Sequence, residues 1–177
     1  MLQKIRRIVT GHNANGKSFI AMDGPSPHAL AVLNEPAFGL TDLWVTNSTP
    51  ANNIGDEDPA ARKLVLEPPA NGSIFRVVEF PPDLQTIGKV DVEAAFKAIG
   101  GEHTLDRTNP QKPGMHKTNS VDYAIVISGE IYAIMDEGET LMKAGDCLIQ
   151  RGTNHAWSNR SNAPCLVAFI LINAAPV

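Results

Sequence analysis

The chain has 177 residues, enough for one sizeable hydrophobic core but not for two independent ones. Hydrophobic residues make up 43% and charged residues 19%, the ordinary balance of a folded globular chain. The net charge is −4 with no basic block, which removes nucleic acid from the expected partners.

Reading from the amino terminus, MLQKIRRIV has neither a long apolar segment nor a small-residue cleavage site, so no export is expected. No apolar run anywhere approaches the roughly 20 residues of a membrane span, so no membrane is expected. The run Lys4–Thr10, the turn formers GHNANGK and the run SFIAM spell a hairpin with Asn15-Gly16 at its turn. His12 is placed in the loop as a solvated side chain. Asp23–Pro27 (DGPSP) is a breaker, and His28 follows it without a partner in the sequence. Phe38–Thr46 alternates as a strand, with Trp44 a core or interface residue, and Thr49–Pro59 is an acidic loop.

Leu64–Glu67 and Ile74–Phe80 are expected as two strands joined by a Pro-Pro-Ala-Asn-Gly turn. Arg76 falls on an apolar face of the second. It is expected as half of an ion pair, with a clamp for an anionic substrate as the functional alternative. Asp91–Ile99 is the one convincing helix, capped by Asp91 and ended by Gly100-Gly101. It is expected against the barrel exterior or near its mouth. The irregular stretch after it carries Glu102, His103 and Arg107, solvated by default and otherwise a lid.

Gly114–Asn159 organises the chain. His116, Thr118 and Asp122 are separated by even numbers of residues and share a face if the backbone is extended. His155, Trp157 and Asn159 share a face by the same rule. Tight turns (SGE, DEGE) and short apolar runs between them write a compact antiparallel barrel. Two histidines and a carboxylate converging inside it are a transition-metal ligand set. Tyr123–Ser128, Ile131–Met135 and Leu166–Ile172 are apolar on both faces, which calls for cover on both sides and suggests a homodimer. Cys147 and Cys165, in or beside apolar strands, are expected as buried reduced thiols in the cytoplasm.

These residues resemble the two motifs of the cupin superfamily. Gly129 stands at the closing glycine of the first motif, Asp122 at its Glu and His116 at its first His, while Thr118 replaces the second His. Gly145, Asp146, Gly152, His155 and Asn159 follow the second motif, with Gln150 in place of its proline. The resemblance implies an all-β double-stranded β-helix (jelly-roll) barrel. Within one structural domain it comprises an N-terminal β-rich extension (1–82), a helix and loop (83–113) and a barrel core (114–177).

Function is read in two ways. In the first, His116 and His155 bind a divalent metal (iron, zinc, manganese or nickel) with Asp122 as third ligand directly or through water, weakly because Thr118 is a poor ligand. The chain is then a dioxygenase-, isomerase- or decarboxylase-type enzyme acting on a carbonyl- or carboxylate-bearing metabolite. Asp122 or Glu102 would be the general acid or base, and Thr118, Trp157, Gln150 and Arg76 the substrate-facing residues. In the second, the histidines only hydrogen-bond and the barrel is a metal-free small-molecule binding module.

Overall fold

A computed structural model describes residues 1–32, 38–86 and 88–177. Among these, the strands form three sheets. β1 (Arg6–His12) and β2 (Ser18–Pro25) pair alone as the hairpin expected from Asn15-Gly16. Its register runs from Arg6 opposite Pro25 to His12 opposite Ser18, so His12 ends a strand instead of lying in the loop.

The larger sheet has six strands in the order β3-β4-β5-β11-β6-β9. They are β3 (Ala29–Ala31), β4 (Gly39–Thr46), β5 (Ser73–Phe80), β11 (Cys165–Asn173), β6 (Ser120–Ser128) and β9 (Cys147–Arg151). The facing sheet has three, in the order β10-β7-β8: β10 (His155–Ser158), β7 (Glu130–Met135) and β8 (Glu139–Lys143). All pairings are antiparallel. The main core joins inward residues of both sheets, among them Ile74, Val126, Ile131, Met142, Val167 and Leu171. This is the all-β sandwich barrel expected from the motifs. The turn into β7 depends on Gly129, at φ 78°, where a Cβ would lie 2.9 Å from the Pro164 carbonyl oxygen.

Two expectations about elements are corrected. Leu64–Glu67 is not a strand, because β4 and β11 already occupy both edges of β5. Its backbone goes elsewhere: the carbonyls of Val65 and Leu66 accept from Arg76, and Leu66 N–H donates to Ile99. A four-residue helix that the sequence reading lacked, α1 (Asp83–Thr86), precedes the expected one, α2 (Val92–Ala98). Asp91 caps α2 by accepting from Ala94 N–H. Cys165 is buried as expected, but Cys147 is exposed; both are free thiols. His28 does find a partner, Asp58, which also pairs with Arg7 and so ties the hairpin to the acidic loop. No helix of the described residues is long and apolar enough to cross a membrane.

Candidate functional site

The strand parity around His116 holds. His116, Thr118, Ser120 and Asp122 are buried in alternation with exposed or half-buried Lys117, Asn119 and Val121. Only Ser120 onward belongs to β6; His116 is held by an isolated antiparallel bridge to His155. Each of the two donates its backbone N–H to the other's carbonyl, at 2.9 and 3.0 Å. Directly opposed residues project to the same side, and the imidazole centroids lie 4.2 Å apart.

Each ring has a defined tautomer. His116 Nδ1 lies 2.9 Å from the Gly114 carbonyl oxygen and His155 Nδ1 3.0 Å from that of Thr153. A carbonyl can only accept, so Nδ1 carries the proton and Nε2 keeps its lone pair. Burial lowers both imidazole pKa values, and for His155 the neighbouring His116 lowers it further, to about 3. Both rings are therefore neutral at physiological pH.

Asp122 has the opposite perturbation. Burial raises its carboxyl to about 6, against smaller lowering effects of the Ser120 hydroxyl and the Arg76 guanidinium. Its Oδ1 is buried without any hydrogen-bond partner. Thr118 Oγ1 lies 2.9 Å from Ser120 Oγ, so the two buried hydroxyls pair with each other beside the carboxyl.

His116, Thr118, Asp122 and His155 line a cavity of about 110 Å³ between the sheets, which Ala95, Phe96 and Ile99 of the α2 region also line. Apart from Arg76 its remaining walls are apolar, with Phe38, Phe80, Phe169 and Trp157 prominent. Trp157 stands edge-on to His155 at 5.8 Å and to Phe169 at 5.4 Å, and Phe96 lies edge-on to His116 at 4.9 Å.

Arg76 also reaches the cavity, but most of its donors are committed. Nε and Nη2 bond Asp42 at 2.9 and 3.3 Å, and Nη2 and Nη1 reach the Val65 and Leu66 carbonyls at 2.7 and 3.4 Å. This is the ion pair preferred from the sequence. Gln150 and Glu102 lie outside the cavity. The Gln150 side chain is buried and turned onto Thr153, stabilising the turn before His155, while Glu102 is exposed in a one-turn 3-10 helix. Asn159 is likewise spent on the Phe80 and Ala163 carbonyls.

Sequence reasoning missed Asp42, Ser120 and Phe96. Asp42 stands directly opposite Arg76 in the β4–β5 register, just before a bulge between Asp42 and Trp44, a pairing that no composition signal announces. Phe96 could have been found from its helix face. By residue type, two Nε2 lone pairs and a carboxylate suit a divalent metal. Among the described residues no group of three His, Cys, Asp or Glu side chains is spaced to hold an ion directly.

A family model described as "Cupin domain" matches residues 108–171. The chain is 30% identical over 183 residues to the cupin-domain-containing oxidoreductase virC of Hypocrea virens, covering 99% of this chain and 79% of that protein. It is 44% identical over 180 residues to oryzines biosynthesis cluster protein J of Aspergillus oryzae, covering 98% and 86%. Among solved structures, a Cupin 2 conserved barrel domain protein of Salinispora arenicola aligns with a TM-score of 0.44 and 10% identity, over 81% of this chain and 82% of that one. The two linked motifs, the antiparallel sandwich and relatives aligned along nearly the whole chain make this protein a member of the cupin superfamily.

Proposed function

We propose that this cupin is a small-molecule enzyme in which Asp122 moves a proton to or from a substrate held in the cavity, chemistry of the isomerase kind. The observation that carries the reading is the Asp122 carboxyl itself: buried, facing the cavity, with Oδ1 unpartnered and a pKa lifted to about 6. A general acid or base works best when its pKa lies near the working pH, and perturbed carboxyls in clefts are where such groups are found. The two imidazoles, held neutral by burial, orient a substrate by accepting its hydrogen bonds through Nε2. The apolar walls exclude water from the transfer. The name oxidoreductase carried by the virC relative supports catalysis in this family.

The fold family often binds a metal, and iron, zinc, manganese or nickel would meet Nε2 of His116 and His155 here. Asp122 would complete that set directly or through water, and the proton transfer proposed here is carried by the Asp122 carboxyl itself. Titration of the metal-stripped protein with each ion is expected to give weak binding; tight stoichiometric binding that disappears in His116→Ala would contradict this. Two unpaired thiols support a reducing compartment such as the cytoplasm.

The proton-transfer reading is tested by incubating the protein in D₂O with hydroxyacetone or 2-hydroxyacetophenone and following deuterium incorporation by NMR. Incorporation above buffer is expected, falling by about 10²- to 10⁴-fold in Asp122→Asn. Wild-type protein that exchanges neither probe would contradict it.

A further inference from the structure

The polar end of the cavity is rich in acceptors and short of donors. Nε2 of His116 and of His155 are lone pairs, because each Nδ1 holds the proton against a backbone carbonyl. Asp122 Oδ1 is buried and unpartnered. Thr118 adds a hydroxyl whose oxygen can also accept, paired with Ser120 at 2.9 Å. Against these stand few free donors: a remaining N–H of Arg76 Nη1 and the indole N–H of Trp157. Arg62 has buried guanidinium nitrogens without partners and acts electrostatically on Arg76, but it is not part of the cavity lining.

A ligand that desolvates this end must supply hydrogens, since a buried acceptor left unpaired costs about 1–3 kcal/mol. A carboxylate brings only acceptors. It would face the lone pairs and the Asp122 carboxyl, while the nearest guanidinium is already neutralised by Asp42. We infer that the cavity takes a compact apolar molecule whose polar group donates hydrogen bonds, a hydroxyl or a protonated amine, and discriminates against carboxylates. The cavity volume of about 110 Å³ limits the body to roughly a single ring, and the aromatic walls favour a flat one. This departs from the carbonyl- or carboxylate-bearing class read from the sequence by disfavouring the carboxylates and requiring a donor, as a hydroxy ketone carries. It rests on the cavity being the ligand site of the proposed function.

The test is titration of the full chain, followed by protein NMR, with four single-ring probes: phenol, benzylamine, benzoate and toluene. Phenol or benzylamine is expected to bind about tenfold more tightly than benzoate, and phenol more tightly than toluene. If benzylamine is the tighter of the two donors, the charge of Asp122 is what is recognised; if phenol, the hydroxyl. Asp122→Asn replaces an acceptor by a donor of nearly the same shape, and is expected to shrink the phenol-to-benzoate preference by about tenfold. Thr118→Val provides a second readout, weakening phenol and leaving toluene unchanged. Benzoate binding as tightly as phenol, a preference unchanged in Asp122→Asn, or phenol binding only after zinc is added would overturn the inference while leaving the cavity as a binding site. If no probe perturbs cavity resonances at millimolar concentration, the ligand-site reading falls as well.

Discussion

Asp122 and His155 face the same cavity, yet burial moves their proton affinities in opposite senses because each avoids its own charged form. The folded Asp122 carboxyl, at about 6, binds its proton more tightly than an unfolded one near 3.8. Its contribution to stability is therefore present below about pH 4 and lost as pH rises through about 6. Asp122→Asn should leave stability at pH 4 nearly unchanged and raise it at pH 7 by roughly 1–3 kcal/mol. Chemical denaturation at both pH values measures the difference, and an Asn variant less stable at pH 7 would contradict the assignment. His155, held near 3, works the other way: its stabilisation is present above pH 6.5 and lost as pH falls toward 3. Acid unfolding should therefore begin below about pH 6, and His155→Gln should flatten it. Both residues were legible from motif spacing. The direction of their pKa shifts was not, because it depends on a cavity closed by Phe96 and Trp157 from distant parts of the chain.

Between β4 and β5, the strand register decides how a buried charge is tolerated. It sets Asp42 opposite Arg76, and both side chains are about 98% inaccessible to solvent. Breaking such a pair from one side strands a charge, so Arg76→Ala is expected to cost about 3–5 kcal/mol. The double replacement Arg76→Met with Asp42→Leu should recover much of that loss in a denaturant titration. No recovery would mean that the Val65 and Leu66 carbonyls, not Asp42, dominate the energetics of Arg76. At this scale the sequence was most readable where one residue type determines the local outcome. Asn15-Gly16 marked the hairpin, Asp91 the helix start and the even spacing from His116 to Asp122 a shared face. It failed at Leu64–Glu67, whose apolar residues suit a strand but whose would-be partner has no free edge. Parity could not tell that Gln150 serves a turn, since inward residues of a closing strand include both wall and hinge.

The outer face of the large sheet bears on the assembly. Phe75, Ile170, Tyr123 and Ile149 are successive cross-strand neighbours over β5, β11, β6 and β9. Phe75, Tyr123 and Ile149 are 39%, 41% and 55% exposed. Toward β4 the same face is covered by the chain's own N-terminal segment, where Ile5 packs on Leu43, Val77, Leu166 and Ala168. The strands apolar on both faces that pointed to a homodimer are therefore covered on only part of their outer side within one chain. The expected result in light scattering at micromolar concentration is twice the 19.0 kDa chain mass, reduced to a single chain mass in Tyr123→Lys/Ile149→Lys. Wild-type protein at the single mass would contradict the dimer.

The central claim is that His116 and His155 turn two neutral, unprotonated Nε2 atoms into a ligand cavity beside Asp122. Long-range ¹H–¹⁵N spectra of the histidine side chains test it most directly. At pH 7 both Nε2 nitrogens should appear unprotonated, with the proton on Nδ1, and both should shift as phenol is added. A protonated Nε2 on either ring, or two Nε2 signals unmoved at saturating phenol, would contradict the claim.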